Sequence, residues 1–179
     1  MSLKTKILNK LYCKYLTQYK SISFASFVVI DYRCEIDTKT NLKIGKKSKL
    51  YKNTTIYKAK ESELVIGHDS HIAPFGYILM GEYNLIIGDN VAIAKNCSFF
   101  CITNSIPTDS SILFKDSYDV GDITVGNNVF IGSNCVILPK TTIGENIVIA
   151  ANSTVKGVLE SGYLYGGNPA IKIRKLFEK

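Results

Sequence analysis

Only two histidines occur among the 179 residues, His68 and His71, so a proton-transfer site built on imidazole has few places to form. They stand at the third and sixth positions of a six-residue frame, where turns and outward-facing side chains are expected, and a solvated imidazole is the plainer reading of both. Cys13, Cys34, Cys97, Cys101 and Cys135 are odd in number and follow neither a metal-ligand nor a paired-framework spacing, so reduced structural thiols are expected. The densest polar chemistry lies from Asn104 to Asp122, where Asn104, Ser105, Thr108, Asp109, Ser110, Ser111, Asp116, Ser117 and Asp119 break an otherwise regular pattern. A solenoid accommodates such an insertion as a projecting loop, and long loops on rigid scaffolds tend to carry function. Loop 104–122 is therefore the site candidate, and an inert surface excursion is its alternative.

That pattern fixes what must hold the loop. From Val125 an aliphatic residue returns every sixth position: Val125, Ile131, Ile137, Ile143, Ile149, Val155. Gly126, Gly132, Gly144 and Ala150 follow it, and two positions further on stand Asn128, Asn134, Asn146 and Asn152, residues that tolerate positive φ and close tight turns. Val129, Cys135, Thr141, Ile147 and Ser153 fill the fifth place. The frame recurs at Ile66-Gly67, Ile72-Ala73, Ile87-Gly88 and Ile93-Ala94, and begins at Ile44-Gly45 with Leu50 and Ile56 in phase. One hexad holds a short strand and a turn, so three hexads close a triangular coil, and coils stack at about 4.8 Å. The fold expected is all-β, a parallel β-helix over 23–167.

An open β-helix leaves unpaired strand edges at both ends, and these need covers. Leu3, Ile7, Leu8, Leu11, Tyr15 and Leu16 recur at helical spacing, which predicts a helical cap over 1–22. Ile171 to Phe177, after Pro169, predicts a short C-terminal helix within 168–179. Lys4, Lys6, Lys10, Lys14 and Lys20 interrupt the apolar residues of the N-terminus, so neither a signal peptide nor membrane insertion is expected there, and the cytoplasm is the expected location. The net charge of +7 suits a protein that meets anions. The cations cluster at Lys4–Lys60 and Lys172–Lys179 around a nearly neutral middle, which argues against a nucleic-acid track. Solvated ends would explain the same clusters.

The stretch Asp122-Ile-Thr-Val-Gly-Asn-Asn-Val-Phe-Ile-Gly-Ser-Asn-Cys-Val-Ile-Leu-Pro resembles the C-terminal half of hexapeptide-repeat acetyltransferases of the galactoside, maltose and serine types. So does its continuation through Thr142-Ile143-Gly144-Glu145-Asn146 to Gly166-Gly167-Asn168-Pro169-Ala170. The resemblance covers about two-thirds of the chain, and it alone supplies the left hand of the helix, since crossover handedness by itself would favour the right. It implies a homotrimer whose cosubstrate is acetyl-CoA, held as a thioester along a groove between prisms with a small sugar as acceptor. Ser133 and Ala151 would then flank the cofactor arm, with Arg174 near its phosphates. A guanidinium suits bidentate phosphate contact, and Lys172 would add a point charge. The family's basic residue often follows the alanine directly, where this chain has Ile171.

O-acetyltransferases of this kind usually place a histidine at the start of the large loop, yet the segment here reads Phe100-Cys101-Ile102-Thr103-Asn104-Ser105. It looks more like that of amino-sugar N-acyltransferases of the same fold, several of which lack a protein base. A sugar hydroxyl gains about 10²–10⁴-fold from a positioned base. An amine of pKa about 8 is already partly neutral near pH 7 and needs alignment and oxyanion stabilisation instead. On this resemblance Asn104 would bond the acceptor or thioester carbonyl, and Asp109, Asp116 or Asp119 would hold the ammonium or sugar hydroxyls. His71 is the fallback base if a neighbouring subunit's groove brings it to the site. The expected activity is acetyl transfer to an amino sugar or nucleotide-linked sugar for surface polysaccharide. The alternatives are sugar O-acetylation, a non-catalytic scaffold, and a γ-type carbonic anhydrase, whose zinc would need three histidines.

Overall fold

An aliphatic side chain that returns every sixth residue is driven out of water on every third of a turn. In the computed structural model of the chain, which describes residues 2–177, all six of the series from Val125 to Val155 are buried. Three walls result. The first stacks Ile22–Phe24, Leu42–Ile44, Leu64–Ile66, Leu85–Ile87, Ile123–Val125, Thr142–Ile143 and Val158–Leu159. The second stacks Val29–Ile30, Lys49–Leu50, His71–Ile72, Ala92–Ile93, Val129–Ile131, Ile147–Ile149 and Tyr163–Gly167. The third stacks Glu35–Ile36, Thr55–Lys58, Tyr77–Gly81, Ser98–Phe100, Val136–Ile137 and Thr154–Val155. Successive coils pair in parallel, and the inward residues stay in register: Ile44, Ile66, Ile87, Val125 and Ile143 line up in the first wall. Leu50, Ile72, Ile93, Ile131 and Ile149 do so in the second.

The corners are where the asparagines act. Asn90, Asn128 and Asn146, and likewise Asn96, Asn134 and Asn152, adopt positive φ and stack between coils. Asn96 Nδ2 donates to Asn134 Oδ1 at 3.2 Å, and Asn134 Nδ2 to Asn152 Oδ1 at 3.1 Å. A second ladder runs beside it. Backbone N–H groups of Lys46, His68 and Asp89 donate to His68 Nδ1, Asp89 Oδ1 and Asn127 Oδ1 of the coil below, at 2.8, 2.6 and 2.8 Å. Gly132 has to be glycine for space: a Cβ there would lie 2.5 Å from the backbone nitrogen of Ala151. The repeat starts one coil earlier than Ile44, because Phe24, Ile30 and Ile36 already keep the six-residue step.

Helix α1 (Leu3–Leu16) caps the N-terminal end, begun by Ser2, whose hydroxyl accepts from Thr5 N–H. Its polar side chains satisfy the open edge of the first coil. Asn9 Oδ1 accepts from Tyr32 N–H at 3.0 Å, Cys13 Sγ from Ile30 N–H at 3.4 Å, and the Tyr12 hydroxyl donates to Cys34 O at 3.1 Å. Leu16 closes the core, while Leu3, Ile7, Leu11 and Tyr15 face outward. The far end corrects the expected C-terminal helix over 168–179. Ala170–Lys175 is a strand, antiparallel to Tyr163–Gly167, and the last two residues of that span lie outside the described residues. Isoleucines alternating with cations at Ile171-Lys172-Ile173-Arg174 favour extended backbone, and pairing here covers an otherwise open edge of the second wall.

Candidate functional site

The polar loop leaves the prism at the corner after Phe100 and returns at Ile123. Its base is a hairpin, Ile102–Asn104 against Tyr118–Val120, and a short 3-10 turn, Phe114–Asp116, lies near its tip. The loop closes on itself through Asn104, whose amide donates to Phe114 O at 3.0 Å and Ser117 O at 3.4 Å. Ser105 and Ser117 share a hydroxyl hydrogen bond of 2.8 Å. Asn104 thereby keeps its side-chain oxygen as the free acceptor, at an exposed position. Asp109 accepts from Ser111 N–H at 2.8 Å, a local turn bond that lowers its pKa from the usual carboxylate value. Asp116 pairs with its neighbour Lys115 at 2.9 Å.

Asp119 does something different. Its two oxygens accept from Lys156 Nζ at 2.8 Å and Lys140 Nζ at 2.9 Å, so one carboxylate ties the loop to the next two coils. Those two ammonium groups hold its pKa below the ordinary value. Lys140 and Lys156 were not among the residues singled out in the sequence. Their signal is a lysine standing at corner positions where the repeat elsewhere carries asparagine or glycine.

His71 lies elsewhere, on the outward side of the second wall, in register with Lys49 and Ala92. Its ring meets Tyr51 edge-on at 6.0 Å, and with Phe27, Lys47 and Lys49 it lines a groove of about 390 Å³. Burial, aided by the Lys49 ammonium, lowers its pKa, so the imidazole is neutral near pH 7. Within one chain it is not brought to Asn104. His68 is occupied as an acceptor in the corner ladder.

Ser133 and Ala151 are stacked on one corner, linked by Asn152 N–H donating to Ser133 O at 2.9 Å. Arg174 pairs across from Leu164 on the terminal strand of the same end, and Lys172 pairs across from Tyr165. Lys172 is engaged by Glu160 at 2.6 Å and stands 4.2 Å over the Tyr163 ring. Among the described residues Arg174 donates only to the backbone carbonyl of Lys175, at 2.9 Å, and it stays exposed. The outward row Ala92, Phe130, Val148 and Leu164 runs down the second wall towards these residues, an apolar strip readable as the residue before each inward position. No group of three or more histidine, cysteine or carboxylate side chains that could hold a metal occurs among the described residues.

Comparison with known proteins places this arrangement. Residues 122–157 match the family of bacterial transferase hexapeptide, six repeats. Galactoside O-acetyltransferase of Escherichia coli (strain K12) is 34% identical over 124 residues, 69% of this chain and 60% of that protein. A chloramphenicol acetyltransferase of Klebsiella aerogenes is 42% identical over 52% of each. The chain thus spans about three-fifths or less of these relatives. Among solved structures, AntD, an N-acyltransferase from Bacillus cereus, seen with dTDP-4-amino-4,6-dideoxyglucose and coenzyme A, superposes with a TM-score of 0.79. That match covers 93% of this chain and 89% of AntD at 22% identity, a likeness of fold. The fold is the left-handed parallel β-helix, and residues 122–157 carry the hexapeptide repeat of the bacterial transferases.

Proposed function

We propose that the protein transfers an acetyl group from acetyl-CoA to a sugar acceptor, and that the acceptor atom is the amine of an amino sugar or nucleotide-linked amino sugar. The observation that carries this reading is the composition of the loop: it holds Asn104, Asp109, Asp116 and Asp119 but no imidazole. An amine attacks a thioester without a strong base provided it is aligned and the oxyanion is met by donors. Asn104 is the residue placed to orient the acceptor through its free oxygen. The apolar row Ala92, Phe130 and Val148 fits the pantetheine arm beside Ser133 and Ala151, and the exposed Arg174 fits a CoA phosphate, with Lys172 secondary because Glu160 already engages it. A homotrimer, in which such a groove would be shared, belongs to the same reading, as does a role in surface-polysaccharide synthesis.

Sugar O-acetylation is the second reading. It is favoured by a neutral His71 in its groove, which a neighbouring copy would have to bring to the loop. A thiol-release assay with acetyl-CoA against paired amino sugars, nucleotide-linked amino sugars and their hydroxyl counterparts decides between them. Release with amines alone supports the first reading. Release with hydroxyl acceptors that is lost in His71→Asn supports the second, and the absence of both thiol release and acetyl-CoA binding overturns both.

A further inference from the structure

The first acidic residue of the chain is Asp31, whereas Lys4, Lys6, Lys10, Lys14 and Lys20 precede it. All four lysines of helix α1 are exposed, and none of them forms an ion pair among the described residues. Between them stand large apolar side chains in an i, i+4 stripe: Leu3, Ile7, Leu11 and Tyr15 are 75%, 53%, 58% and 43% exposed. A cap helix needs one apolar face, and this one has it in Tyr12, Cys13 and Leu16. The second stripe is thus surplus to covering the prism.

Geometry sets where this stripe points. Asn9, Tyr12 and Cys13 bind the backbone edge of the first coil, so the opposite face looks away from the prism along its long axis. We propose that this face docks the protein on an anionic lipid surface, with Leu3, Ile7 and Leu11 entering the headgroup boundary and the lysines meeting the phosphates. Apolar residues interspersed with lysine and free of acid are what an interfacial helix requires. Tyr15 and Tyr19, in edge contact at 5.8 Å, add aromatic groups suited to that boundary. A second copy is the poorer occupant. Two such helices face to face would set lysine against lysine, and copies packed wall to wall leave the end face open. The helix is far too short and charged to span a bilayer, and no described helix is long and apolar enough to do so. The inference stands apart from the acyl-transfer reading.

The test is sedimentation of the intact protein with vesicles of phosphatidylcholine alone, and with vesicles containing roughly one-third phosphatidylglycerol. Binding is expected only to the second, and it should be lost in about 1 M salt, where screening acts within about 3 Å. Lys10→Gln with Lys14→Gln should weaken partitioning roughly 25-fold, since each lysine near such a surface is worth about fivefold. Ile7→Glu with Leu11→Glu should abolish it while leaving helix content and thermal unfolding unchanged, because both side chains are exposed. Equal binding to both vesicles, no binding to either, or wild-type partitioning by either double variant would overturn the proposal. So would light scattering that shows Ile7→Glu with Leu11→Glu splitting an oligomer that never sedimented with vesicles.

Discussion

The prism wall and the loop that projects from it are built on opposite plans. In the wall, polar side chains reach the neighbouring coil: Asn128 Nδ2 donates to Asn146 Oδ1 at 2.7 Å and Asn127 Nδ2 to Glu145 Oε1 at 2.8 Å, each one coil away. In the loop, Asn104, Ser105 and Asp109 spend their hydrogen bonds on the loop itself. The wall hides its inward aliphatic residues, while the loop leaves Ile106 86% and Phe114 72% exposed. A residue in the wall answers to a position above and a position below it, so its identity is dictated by stacking. Loop residues answer to neither, and that freedom is what lets a rigid scaffold carry a site that varies with its acceptor.

The sharpest contrast comes from one deletion on each side. Ile131→Ala removes a fully buried side chain between Ile93 and Ile149 and should cost about 2–5 kcal/mol in denaturant unfolding. Phe114→Ala, of larger volume but exposed, should stay within about 0.5 kcal/mol. Equal losses would mean the loop packs as part of the core. Asn104→Ala should then reverse the ranking: turnover falls about 10²-fold, the scale of one lost transition-state donor or acceptor. Acetyl-CoA affinity should stay within about twofold, and full turnover would remove Asn104 from the site. Arg174→Ala is smaller again. It should weaken acetyl-CoA binding about tenfold, the loss of one charge-assisted phosphate contact, and unchanged affinity by calorimetry would remove the phosphate role.

The same contrast explains what could be read from the sequence. Val125 to Val155 announced the wall because stacking repeats one requirement at every sixth residue, and every inward residue it named is buried. Phe24, Ile30 and Ile36 keep that step without the Gly and Asn that make it conspicuous, so the repeat is traceable only from Ile44 even though the expected span begins at 23. The C-terminal segment differs from the expected helix because proline and cations also suit a helix start and end. What decides it is the open edge at Tyr163–Gly167, a feature of the stacked structure and not of the local sequence. Helical spacing found α1 but not its orientation, since both its faces are apolar. In the loop the residue types were legible, yet nothing local revealed that Asn104 would bond Phe114 O, or that Asp119 would reach Lys140 and Lys156 across two coils.

Asp119 is a side-chain joint between the two plans, and it gives the smallest effect with the most specific signature. Its side chain is mostly shielded, whereas both lysines are well exposed, so the paired charges contribute about 1 kcal/mol and no more. The pKa of Asp119 is lowered in the folded protein, so the anchoring is fully present above the unfolded carboxylate value of about 3.9 and is lost as pH falls through the folded value. Hydrogen exchange of the Ser105 and Gly121 amides, which donate to Ser117 O and Cys101 O across the hairpin, should therefore speed up below about pH 4, relative to the intrinsic rate, while amides of Ile131 and Ile149 do not follow. Asp119→Asn should show the faster loop exchange at neutral pH and no further acid step. If the variant matched the wild type at pH 7, the loop would be held by Gly121 lying against Lys140 and by the Ile102 contact with Gly81, and the carboxylate would be a bystander.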